Sequence, residues 1–106
     1  MRGEVLKGHL DMLLLAAVRD GATHGYAIIE RMRAQSAGAI DLPEGTIYPA
    51  LHRLERYGAL RSSWAATGAR RRRVYALTTL GRRLLTQQRK DWHLFTRAIR
   101  GVLGPV

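Results

Sequence analysis

Apolar residues recur at helical spacing from the start of the chain. Leu6, Leu10, Leu13, Leu14, Ala17 and Val18 share one side of a first helix, which Asp20-Gly21 should end. Thr23 is placed to cap a second helix, whose apolar side is Tyr26, Ile28, Ile29 and Met32. Ser36-Ala37-Gly38 closes it, and a short link follows. A third helix is expected from about Glu44 or Thr46 to Tyr57. Ile47, Ala50, Leu51 and Leu54 form its buried stripe, while Tyr48, His52, Arg53 and Arg56 fall on the other side. Pro49 is tolerated only near the helix start, so regular hydrogen bonding should begin close to Thr46. Gly58 ends this helix.

The pattern then changes to that of strands. Residues 60–66 read as one strand, Thr67-Gly68-Ala69 as a turn, and residues 73–77 as the returning strand, with Val74, Tyr75 and Leu77 as strand formers. A two-stranded hairpin is marginal alone and must pack on the helices. Thr78 or Thr79 caps a last, long helix reaching about Leu103. In it Leu85, Gln88, Trp92, Phe95, Ile99 and Val102 are spaced alternately by three and four, as in a heptad seam with one polar member. We read this stripe as a dimer interface; the other reading is an amphipathic helix packed on its own domain. The expected fold is mainly α, an α+β winged helix-turn-helix. It has three helices, a two-stranded wing and a long C-terminal dimerisation helix. Residues 1–78 form the winged domain and 79–106 the dimerisation helix, in one compact unit.

Charge sharpens the picture. Residues 1–60 hold seven basic and seven acidic side chains, whereas residues 61–106 hold eleven basic and one acidic, Asp91. The whole net charge of +10 therefore lies in the second half, which suits a phosphate-rich partner. A chain of 106 residues favours one domain, and 46% apolar content permits a packed core. The absence of cysteine removes disulfides, Cys-ligated zinc and a thiol nucleophile. The longest apolar run, Met12 to Val18, is far below the roughly 20 residues that cross a bilayer. We expect a cytoplasmic, nucleoid-associated protein without a membrane segment or cofactor.

The order helix, strand, basic turn, strand is how a winged helix presents itself to duplex DNA. The third helix should enter the major groove, with Thr46, Tyr48, Pro49, His52, Arg53 and Arg56 as its contact candidates. His52 and Arg53 can reach base edges, and arginine pairs well with guanine. Arg53 or Arg56 could instead pair with Glu55 or another acid. Arg70, Arg71, Arg72 and Arg73 should alternate sides, so that two of them face the duplex at its backbone or minor groove. Tyr48 either packs against the second helix or offers its hydroxyl to a phosphate. Gly25 allows close packing and Tyr26 is assigned to the core under the third helix. His24, near a helix N-terminus, could meet a phosphate. Trp64 is read as hairpin packing.

Three segments together resemble the PadR-type transcriptional regulators, the phenolic-acid-responsive repressor family. They are His24-Gly25-Tyr26, then Gly45-Thr46-Ile47-Tyr48-Pro49-Ala50-Leu51-His52-Arg53-Leu54-Glu55, then Tyr75-Ala76-Leu77-Thr78-Thr79-Leu80-Gly81. The single C-terminal helix is similar to the family's small branch. The resemblance implies a homodimeric winged-helix repressor on a palindromic operator, with Tyr48 on the DNA backbone. It also implies a possible small aromatic effector near Trp92 and Phe95. The four-arginine wing is more basic than the family pattern requires.

An enzyme is hard to build from these residues. The histidines His9, His24, His52 and His93 are scattered, and no metalloprotease spacing, phosphate-binding loop or nucleophile motif occurs. A basic RNA-binding or ribosome-associated protein is the main alternative. It would need exposed aromatic platforms for unstacked bases, and the chain has only two Trp, four Tyr and one Phe. A peripheral membrane protein using Arg82, Arg83, Arg89 and Lys90 of the last helix is a further one.

Overall fold

A 3-10 turn, Lys7–His9, leads into helix α1, Leu10–Val18. The computed structural model describes residues 6–21 and 23–105, with the side chains of Lys7 and Thr67 undescribed. Residues 1–5 and 106, the two ends of the expected division of the chain, lie outside the described residues, as does residue 22. A short strand, β1 (Thr23–His24), precedes α2 (Gly25–Gln35) and α3 (Glu44–Tyr57). Strands β2 (Leu60–Thr67) and β3 (Arg70–Leu77) form the hairpin, and α4 runs from Thr79 to Leu103. The core lies where α1, α2, α3 and the base of the hairpin meet; Leu14, Leu15, Ile28, Ile47, Leu51 and Tyr75 are among its fully buried members.

Four local expectations change. The sheet has three strands in the order β1-β3-β2, both pairings antiparallel, not two. The wing strands are longer than expected and take in Thr67 and Arg70 to Arg72, leaving Gly68-Ala69 as a two-residue turn. Gly68 has φ 63° at the first loop position, where a type II′ hairpin needs a positive φ. Thr23 does not cap α2: it is buried in β1 opposite Tyr75. His24 caps instead, its Nδ1 accepting the Ala27 N–H at 3.2 Å.

Tyr26 is the fourth change. It is 55% exposed, because it lies about 100° round the helix from Gly25, off the buried Gly25–Ile28–Ile29–Met32 ridge. The space beside Gly25 belongs to Tyr48 of α3. A Cβ on Gly25 would come within 2.5 Å of the Tyr48 ring, so only glycine lets the two helices approach this closely.

The end of α3 fixes how the hairpin and α4 attach. Gly58 takes φ 94°, its N–H donates to the Glu55 carbonyl at 3.0 Å, and the Ala59 N–H donates to that of Leu54 at 3.0 Å. This double bond is a Schellman closure. Thr78 then caps α4 by accepting the Gly81 N–H at 3.0 Å while its hydroxyl donates to the Gly58 carbonyl at 2.5 Å. Gly81 lies directly on Ala59, whose carbonyl oxygen would overlap any Cβ there. Thus α4 is anchored at its first turn. Only Gly81 and Leu85 of its 25 residues are buried; Leu84, Gln88 and Trp92 still touch the domain, and the helix beyond them projects. The radius of gyration of 15.1 Å exceeds the roughly 13 Å of a compact domain this size for that reason.

Candidate nucleic-acid interface

Burying Ile47, Ala50, Leu51 and Leu54 turns the opposite side of α3 outward. At 3.6 residues per turn that outward ridge is Gly45, Pro49, His52 and Arg56. The last three are exposed and line one shallow groove together with Glu55. Thr46 is exposed on one flank. Helix α3 starts at the site of Pro43, whose carbonyl accepts the Thr46 and Ile47 N–H groups at 3.0 and 3.1 Å. The helix begins earlier than Pro49 would suggest: Pro49 is its sixth residue, past the first turn, and with no N–H to give it leaves the carbonyl of Gly45, on the exposed side, without its helical donor. Arg56 has no acidic partner among the described residues.

The flanks of α3 are engaged with the rest of the fold. On one side Tyr48 is half-buried on Gly25, and its hydroxyl has no hydrogen-bond partner among the described residues. Glu55, also half-buried, accepts the Ser62 hydroxyl at 2.5 Å and lies 3.7 Å from Arg73, tying α3 to both wing strands. On the other side Arg53 makes a bidentate pair with Asp11 of α1, at 2.7 and 2.9 Å. The alternative of a structural ion pair for Arg53 is thus realised, but with Asp11 rather than with Glu55. Nothing local in the sequence signals that partner, which is 42 residues away.

The wing arginines do alternate. Arg71 and Arg73 share the face of Trp64, their guanidinium carbons 5.3 and 5.5 Å from its ring centroid. Arg72 points to the other face, where it lies 3.0 and 3.3 Å from the two ring nitrogens of His24. Arg70 is exposed at the tip. Trp64 is not plain hairpin packing: it is 56% exposed beneath the two arginines.

His24 is held neutral by its surroundings. Burial, and then the charge of Arg72, lower its pKa from the usual imidazole value. Its Nδ1 must stay unprotonated to accept from Ala27. Because the folded-state pKa lies below the unfolded one, the unfolded chain binds more protons between the two. This part of the stability should therefore be complete above about pH 6.5 and be lost as pH falls through that value toward the lowered folded-state pKa. His24→Asn can still cap but cannot titrate. Melting temperatures measured from about pH 7.5 down to about pH 5 should fall for the unmodified protein and fall less for the variant. Parallel curves would assign the acid sensitivity elsewhere.

The seam read along α4 divides in two. Leu85 belongs to the core of its own chain, and Gln88 is half-buried. Trp92 makes an edge-on contact with His9 at 4.9 Å and lies 5.9 Å from Phe95. Beyond it Phe95, Ile99 and Val102 are open, with Val102 87% exposed. Trp92 and Phe95 also border an open cleft of about 500 Å³, lined as well by His9, the Asp11–Arg53 pair, Gln88 and Asp91. The Gln88 Oε1 is buried there without a hydrogen-bond partner among the described residues. None of the described helices is long and apolar enough to cross a membrane.

The comparisons with known proteins agree with this geometry. Residues 14–87 match the family described as transcriptional regulator PadR-like. The chain is 34% identical over 88 residues to the transcriptional regulator Rv3488 of Mycobacterium tuberculosis, covering 83% of this chain and 79% of the relative. A PadR family regulator from Eggerthella lenta superposes with a TM-score of 0.81 at 30% identity, covering 97% of this chain and 88% of the other. A transcriptional regulator from Clostridium thermocellum does so with 0.87 at 26% identity, over 96% of this chain and 100% of the other. The wing, helix α3 and the projecting last helix are arranged as in a winged-helix regulator, and the chain belongs to the PadR-like family of transcriptional regulators.

Proposed function

We propose that this regulator is a homodimeric repressor that binds a palindromic operator in duplex DNA. The observation that carries the reading is the outward ridge Pro49–His52–Arg56, set beside a wing bearing four arginines. The ridge enters the major groove, and the wing grips the flanking backbone. Thr46 and Tyr48 touch the backbone from the first turns of α3. Arg53 supports the helix from behind through Asp11 and is not assigned to a base. Two chains associate through the open part of α4: Phe95, Ile99 and Val102, with Trp92 at its edge. The cleft beside Trp92 and Phe95 takes a small aromatic effector. Occupancy there would change the spacing of the two reading helices, and so their fit to half-sites about one helical turn, or a multiple of it, apart.

Tyr48 provides a direct test. Its hydroxyl has no partner among the described residues, so Tyr48→Phe should melt at the same temperature as the parent. A lost hydrogen bond to a phosphate should weaken operator binding by roughly 1.5–3 kcal/mol per subunit. Titration of labelled duplex, with single-stranded RNA as a control, measures this. Unchanged duplex affinity would make Tyr48 a packing residue only. Equal binding to the RNA would favour an RNA-binding protein instead.

A further inference from the structure

We propose that Trp64 is a positioning residue for DNA binding, which holds the guanidinium groups of Arg71 and Arg73 ready for neighbouring phosphates. The inference rests on the DNA-binding reading above. Trp64 lies on β2 directly opposite Arg73 and two residues from the partner of Arg71, so the hairpin register brings all three to one face. Both guanidiniums lie within the range of a cation–π contact with an indole, the strongest aromatic partner for one. Yet the ring is more than half exposed, far too open to be serving as core.

Holding arginines in this way has a physical consequence. A free arginine on a hairpin tip loses much side-chain freedom when it meets a phosphate. A guanidinium lying on an indole has lost part of that freedom already, while its N–H edges remain free to donate. The two arginines are not equivalent. Arg73 lies 3.7 Å from Glu55, which holds that end of the stack against α3. Arg71 has no acidic partner among the described residues and is nearer the tip, so it is the freer donor. The stack thereby links the reading helix, through Glu55 and Arg73, to Arg71 nearer the tip of the wing.

A double-mutant cycle on duplex affinity tests this. Trp64→Leu keeps an apolar strand residue and every charge, and should weaken binding roughly threefold to tenfold. Arg71→Lys keeps the charge but not the planar stack, and should cost a similar factor. In an Arg71→Ala/Arg73→Ala background, Trp64→Leu should cost almost nothing. Trp64→Phe, which keeps a ring and serves if the leucine variant melts early, should fall between parent and Trp64→Leu. Equal losses from Trp64→Leu in both backgrounds, or no loss in either, would overturn the inference while leaving DNA binding intact. Failure of the unmodified protein to bind duplex DNA would overturn the DNA reading itself, and this inference with it.

Discussion

Replacing Phe95 and Ile99 together by Asp is expected to turn the proposed dimer into monomers and to lower operator affinity by roughly 10²–10⁴-fold. Both side chains are open on the single chain, at 52% and 42% exposure, and both lie well beyond Leu85, the last residue of α4 buried in its own core. The fold of one chain should therefore survive the change. Two carboxylates placed in an apolar interface would not be tolerated there, because each would be desolvated without a partner. The loss in DNA binding follows from geometry: a dimer engages two half-sites at once, a monomer only one. Light scattering gives the state of association, thermal melting the integrity of the fold, and an operator titration the affinity. An unchanged dimer would move the interface away from this stripe.

The outward ridge of α3 should control preference among DNA sequences, and the wing should not. His52→Ala and Arg56→Ala each remove a group that can reach a base edge. A bidentate arginine–guanine pair is worth about 1–3 kcal/mol of discrimination, and the dimer would make it twice. Arg56→Ala should thus remove discrimination at one position of each half-site, with a loss on the preferred operator of roughly thirtyfold to twenty-thousandfold. Arg71→Ala and Arg72→Ala, by contrast, should weaken all duplexes alike and flatten the dependence on salt. Binding to a panel of operator variants separates the two cases. If the wing variants alone changed preference while both ridge variants kept it, the roles would be reversed.

The residues of α3 show what a sequence can convey and where it stops. Its buried stripe, its glycine closure at Gly58 and the Thr78 cap of α4 all follow from spacing and local chemistry, and the structure has each of them. The winged-helix fold and the family were readable because three separate segments agreed. What was not readable depends on contacts between distant segments. Arg53 could be read as a base reader or as half of an ion pair with Glu55 or another acid, but that the acid is Asp11, 42 residues away, has no local signal. Thr23 had the chemistry of a cap, yet pairing with Tyr75 draws it into a strand and leaves the cap to His24. The Trp64 stack depended on the hairpin register: a three-residue turn would have put Arg71 and Arg73 on the wrong side. Only the two-residue turn at Gly68-Ala69 brings them together. Likewise, the six-residue seam along α4 looked continuous, but its first member, Leu85, packs into its own chain.

Selection of tight binders from a random duplex library tests the central claim most directly. A homodimer with one reading helix per chain should enrich a two-fold palindrome, its half-sites centred about one helical turn, or a multiple of it, apart. The same selection with Arg56→Ala should return that palindrome with one position per half-site degenerate. Enrichment of no common sequence, or of a single asymmetric site that Arg56→Ala leaves unchanged, would contradict it.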